Sequence, residues 1–113
     1  MNKQEINKNL LKLWKAVQVD RVFSEEIMNE VNRVLHSKNI ESDEFKKLGT
    51  ELYLEVGRSN YPDGDVRRDG IRSMSHFLMS VWDMKSGRIE ESKKRMYIAE
   101  ANMNNYFKKR LNA

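Results

Sequence analysis

The chain has no cysteine, one proline and five glycines among its 113 residues. The absence of cysteine excludes a disulfide framework, a thiolate zinc site and a cysteine nucleophile. The scarcity of proline and glycine disfavours a turn-rich β fold and favours helices. No apolar run approaches the ~18 residues that a membrane-spanning helix needs, and the polar first residues are unlike a signal peptide. We therefore expect a cytoplasmic, mainly helical protein.

The composition is charge-rich and lean in apolar residues. Charged residues make up 34% of the chain and hydrophobic residues 39%, against usual values of ~25% and ~45–50% (the latter including glycine). Such a mixture suits a small helical protein whose outer faces are solvated. We expect residues 1–113 to form a single helical domain around one core.

The charge is distributed unevenly along the chain. The formal net charge is +4, but residues 1–23 carry +3, residues 24–57 carry −4 and residues 58–113 carry +5. The modest total therefore conceals a basic, an acidic and a second basic block. Segregation of this kind can orient a charged partner.

Five segments carry apolar residues at the spacing of an amphipathic helix. The predicted helices cover about residues 3–21, 24–37, 42–57, 65–85 and 88–110. In the fourth segment the apolar side chains span about 200° of the circumference, which is wider than the roughly 100° stripe of a surface helix. We predict an all-α, single-domain bundle of four to five helices with the fourth at its centre.

Local signals predict where the helices end and meet. Ser24 and Ser42 are suitable N-cap residues for the second and third helices, and Gly57 is a suitable residue to follow the third. Gly87 marks the break between the fourth and fifth helices. Gly49 lies beside the apolar stripe of the third helix, where a missing side chain would let a neighbouring helix approach closely.

One cluster on the fourth helix has the residue types of a catalytic site. Asp69, Arg72, His76 and Asp83 share its polar face at helical spacing. An Asp–His–Arg cluster can supply a general base and an anion clamp, but the same spacing favours a ladder of ion pairs on a solvated face. There is also no nucleophile elbow and no glycine-rich phosphate loop. We predict that the protein is not an enzyme and has no catalytic residues.

Metal and cofactor sites are not predicted either. Asp63 and Asp65 around Gly64 have the spacing of the start of an EF-hand loop, but the twelfth position of that loop is Met74 and not glutamate. Neither histidine follows a glutamate by three residues, as a di-metal bundle requires.

Nucleic-acid binding is the alternative function that the sequence leaves open. The basic residues of the last two helices that would contact phosphates are Arg67, Arg68, Arg72, Lys93, Lys94 and Arg95. Against this, acidic residues interleave with them, and a net charge of +4 is small for a backbone binder. A helix-turn-helix formed by the second and third helices would also place an acidic segment in the groove.

Binding to another protein is the function that the sequence favours. Several apolar residues fall on the polar sides or edges of their helices, and we predict that they contact a partner: Leu11, Tyr53, Leu54, Met84, Tyr97 and Ile98. Together they would form an exposed apolar patch, to which methionine adds adaptability. We predict a non-enzymatic adaptor, inhibitor or regulatory subunit, with homo-oligomerisation as an open alternative. The high Lys and Asn content is typical of AT-rich phages and bacteria, whose small helical proteins often serve as host-factor inhibitors or immunity proteins.

Overall fold

The protein is an all-α bundle, as predicted. A computed structural model describes residues 3–21 and 23–111. Its five helices are α1 (Lys3–Val19), α2 (Glu25–His36), α3 (Ser42–Arg58), α4 (Val66–Lys85) and α5 (Ile89–Leu111). Among the described residues, no helix combines the length and apolar character that crossing a membrane requires.

Helix α4 is the central element, which confirms the interpretation of its wide apolar arc. It packs most extensively against α5 and α3 and also contacts α1, whereas α2 packs lightly on α1 and α3. Side chains such as Ile71, Phe77 and Val81 are almost fully buried. In contrast, Arg72, His76 and Met79 are only half-buried. Because these three lie about one turn apart on one side of the helix, we call them the outer face of α4.

Small residues allow α3 to approach α4 closely. A Cβ atom added to Gly49 would lie 2.7 Å from Cγ of Met79 and 3.1 Å from the carbonyl oxygen of Ser75. The Ser75 hydroxyl also donates a hydrogen bond to the Gly49 carbonyl at 2.6 Å. The close approach predicted at Gly49 is therefore confirmed.

Buried serines join α4 to α5 in the same way. The Ser73 hydroxyl donates to the carbonyl of Ala99 at 2.7 Å, and the Ser92 hydroxyl donates to the carbonyl of Ser80 at 2.9 Å. Each bond gives a buried hydroxyl group a hydrogen-bond partner, and a buried hydroxyl without a partner would lower the stability of the protein.

One of the two predicted N-cap residues is confirmed. Ser24 is the N-cap of α2 and accepts from the backbone N–H of Ile27, and Asp65 is the N-cap of α4. The prediction for α3 is wrong by one residue, because its N-cap is Glu41 and Ser42 is already helical. The Glu44 carboxylate accepts from the Glu41 backbone N–H at 3.1 Å, which satisfies a donor at the helix start.

The helix ends show a second small correction. Gly57 does not follow α3 as predicted, because the helix continues through Arg58 and the backbone of Gly57 is not left-handed. Arg58 pairs with Glu55 one turn earlier at 3.1 Å. The break after α4 is confirmed, since Gly87 has a φ of +80°, a conformation that favours glycine.

Candidate functional site

The two helices that carry the acidic block of the sequence form both walls of a cleft. Helices α2 and α3 cover most of residues 24–58, and a cleft of about 850 Å³ lies between them along part of their length. Ser24 at the start of α2 and Arg58 at the end of α3 both line it, so the two helices run antiparallel along it. Its apolar lining comes from Ile27, which is half-buried, and Leu48, which is buried.

Glutamates dominate the rim of this α2–α3 cleft. Its charged lining residues are Glu26, Glu30, Glu44, Glu51 and Glu55 together with Arg33, Lys47 and Arg58. Five acidic and three basic groups give the lining a formal charge of −2. The cleft thus combines an apolar floor with a negative rim.

Arg33 bridges the two walls of the cleft. Its guanidinium lies 2.8 Å from the Glu44 carboxylate on α3 and 3.0 Å from Glu30 on α2. Hydrogen bonding to Arg33 lowers the pKa of Glu30, with a smaller contribution from the charge of Lys47. The Glu30 carboxylate therefore stays ionised at the rim at neutral pH.

The predicted protein-binding residues are divided among four helices. Leu54 is 44% exposed and lies about one turn from both Glu51 and Arg58, which places it beside the α2–α3 cleft. Tyr53 instead contacts His76 on the outer face of α4, with ring centroids 6.1 Å apart.

The remaining predicted contacts lie elsewhere on the molecule. Leu11 on α1 is 41% exposed, and Tyr97 and Ile98 on α5 are 75% and 43% exposed. Met84 is half-buried and packs against the core. Leu54 is thus next to residues that line the cleft, and the other predicted contacts lie on α1, α3, α4 and α5.

The cleft itself was not predicted from the sequence. In the sequence, its floor residue Ile27 is one apolar residue of the second predicted helix, and its glutamates are part of the acidic block. The signal available in advance was that the acidic block coincides with two consecutive helices, which short connections place side by side.

The two acids of the suspected catalytic cluster form ion pairs with basic residues of α5. Lys109 donates to the Asp69 carboxylate at 2.5 Å, and Arg95 lies 2.8 Å from the Asp83 carboxylate. The Nδ1 atom of His76 has no hydrogen-bond partner. Because the acids pair across helices, neither an Asp–His–Arg cluster nor an ion-pair ladder within α4 forms.

Most of the cations that suggested nucleic-acid binding are also paired. The guanidinium of Arg67 lies 2.7 Å from Asp65 and stacks 3.8 Å above the ring of Tyr61. The candidates with an acidic partner are Arg67, Arg68, Lys93 and Arg95. Arg72 and Lys94 form no ion pair within the described part of the chain. A phosphate backbone would have to displace these acids from most of the candidate contacts.

The described residues contain no group of three or more His, Asp or Glu arranged to hold a metal ion. No protein-family model, curated protein or solved structure matches the chain. Its function is therefore inferred from its own surfaces.

Proposed function

We propose that the protein is a non-enzymatic protein-binding module whose α2–α3 cleft receives a basic, amphipathic segment of a partner protein. The observation that carries the proposal is the combination of an apolar floor and a glutamate rim in a cleft of about 850 Å³. Such a role suits an adaptor, an inhibitor or a regulatory subunit.

The size and shape of the cleft support a peptide segment of a partner protein as its occupant. Its volume lies within the range of about 300–1,000 Å³ that is usual for binding pockets. It runs along two antiparallel helices, and grooves of this kind accept the apolar face of an amphipathic helix. Leu54 at the margin adds apolar surface next to Glu51.

The charge of the cleft supports a basic occupant. A lining charge of −2 attracts Lys and Arg side chains, and complementary charge increases the association rate and fixes orientation. The same charge repels phosphates, which disfavours nucleic acid at this site. The occupant is thus expected to present apolar residues on one side and cations around them.

Synthetic peptides test the proposed chemistry directly. One fluorescent peptide carries leucines at helical spacing with lysines elsewhere, and its control carries glutamates in place of the lysines. Fluorescence anisotropy should show binding of the lysine peptide, weakening with added salt because exposed charges are screened. Equal binding of both peptides would contradict a charge-selective cleft.

Matched charge reversals test the location. Glu26 lines the cleft, whereas Glu91 is exposed on α5. We expect Glu26→Lys to weaken binding of the lysine peptide about three- to tenfold, since a rim charge is reversed, and Glu91→Lys to leave it nearly unchanged. The same loss in both variants would place the binding outside the cleft.

A further inference from the structure

A cationic cluster lies on the outer face of α4, and it shares no residue with the α2–α3 cleft. It brings together Arg72 and His76 from α4, Arg95 from α5 and Tyr53 from α3. All but Tyr53 are half-buried, and Tyr53 is 52% exposed. Three helices therefore contribute polar groups to one solvent-accessible face.

The two arginines retain hydrogen-bond donors without strong acceptors. Nε of Arg95 lies 2.8 Å from the Asp83 carboxylate, but its Nη1 donates at 3.3 Å to the sulfur of Met79, which is a weak acceptor. Arg72 forms no ion pair within the described part of the chain. Planar guanidinium groups with unused donors are well suited to oxyanions.

His76 stands among these groups with an unpartnered nitrogen. Tyr53 packs edge-on against its ring from α3, and its Nδ1 atom has no hydrogen-bond partner. Burial and the charges of Arg95 and Arg72 lower the pKa of His76. An anion bound between the arginines would offset that repulsion.

The local charge indicates which anion fits. Asp83 pairs with Arg88 at 3.0 Å as well as with Arg95. The Asp83 carboxylate is therefore shared between two guanidinium groups and offsets the charge of Arg95 only in part, while Arg72 keeps its full positive charge. We propose that this outer-face cluster binds a phosphate monoester, which carries about −1.5 to −2 charges at neutral pH.

The histidines themselves report on the site. We would follow the Cε1–H proton resonances of both histidines against pH by NMR, with and without inorganic phosphate, holding ionic strength constant with chloride. We expect phosphate to raise the pKa of His76 by about 0.5 to 1, as a nearby negative charge does. His36 is exposed on α2 and serves as an internal control that should not respond. Equal shifts of the two histidines, or no shift, would overturn the proposal.

Substitutions of Arg72 test whether the response of His76 arises at the outer-face cluster. Arg72→Gln should abolish the phosphate response of His76, Arg72→Lys should retain part of it, and Lys15→Gln on α1 should leave it intact. Far-UV circular dichroism would verify the fold of each variant. An undiminished response in Arg72→Gln would overturn the proposed site.

Probe molecules separate the sources of the phosphate. Phosphoserine and glycerol 3-phosphate should each reproduce the response, and the tighter of the two identifies a phosphorylated side chain or a small ester. Dimethyl phosphate, a singly charged diester like the nucleic-acid backbone, should not reproduce it. An equal response to this diester would overturn the monoester assignment. Because the outer-face cluster and the cleft share no residue, failure at either leaves the other standing.

Discussion

Gly70 lies where three helices meet. A Cβ atom added to it would lie 2.9 Å from Cε2 of Tyr106 on α5 and 3.1 Å from Cγ2 of Val17 on α1. The Tyr106 ring is fully buried, so it has little room to move. Gly57 on α3 is also helical, but an added Cβ there would meet nothing within 4 Å.

These two glycines should respond oppositely to the same substitution. We expect Gly70→Ala to lower the free energy of unfolding by about 1–3 kcal/mol, because it overpacks a tight contact. Gly57→Ala should raise it by up to about 1 kcal/mol, because alanine is the better helix former. Urea denaturation at 25 °C measures both, and a Gly70→Ala variant as stable as the wild type would contradict the close packing.

At the scale of elements, a buried carboxylate holds the joint between α4 and α5. The side chain of Asp83 is 2% exposed, and it lies 3.0 Å from Nε of Arg88 and 2.8 Å from Nε of Arg95. The Arg88 guanidinium also stacks 3.6 Å above the ring of Trp82. The left-handed backbone of Gly87 completes the turn, so charge, stacking and backbone geometry act together.

We predict that Asp83→Asn destabilises the protein by about 2–3 kcal/mol. Removing one partner of a buried pair can cost 3–5 kcal/mol, and partial exposure of both arginines reduces this value. Asp63→Asn provides a matched control, because that side chain is fully exposed and should change stability by less than about 0.5 kcal/mol. Equal denaturation midpoints for the two variants would show that Asp83 does not hold the joint.

At the scale of the whole molecule, one cluster ties the end of α1 to the end of α5. The Tyr106 hydroxyl donates to the Asp20 carboxylate at 2.8 Å, and Arg110 donates to the same carboxylate at 2.6 Å. Burial, followed by the hydrogen bond to Asp20, raises the pKa of Tyr106 above its ordinary value near 10. The folded protein therefore keeps a proton that the unfolded chain releases at alkaline pH.

This cluster predicts an alkaline loss of stability. Because the pKa is raised in the folded state, the Tyr106 contribution is fully present below pH 10 and falls as the pH rises further. Tyr106→Phe should lower stability by about 1 kcal/mol at pH 7 and reduce the loss above pH 10.

Thermal denaturation from pH 7 to 11 measures this effect. Tyr97→Phe is the control, because Tyr97 is 75% exposed and the variant should match the wild type. An unchanged alkaline slope in Tyr106→Phe would contradict the role of the Tyr106 proton.

Periodicity and charge along the chain determined much of the architecture. The five helical segments, their bounds to within two residues and the central place of α4 were predictable, because the burial of a helix face follows from residues three and four apart. The close approach at Gly49 was predictable for the same reason. The concentration of negative charge on α2 and α3 followed from their order in the sequence.

Only the tertiary structure decided which groups meet across helices. Asp69 pairs with Lys109, which is 40 residues away, and this pairing removes the cluster that local spacing suggested. The α2–α3 cleft and the gathering of Arg72 and Arg95 around His76 depend on how the helices cross. Crossing is set by the packing of side chains over the whole core, and spacing within one segment does not contain that information.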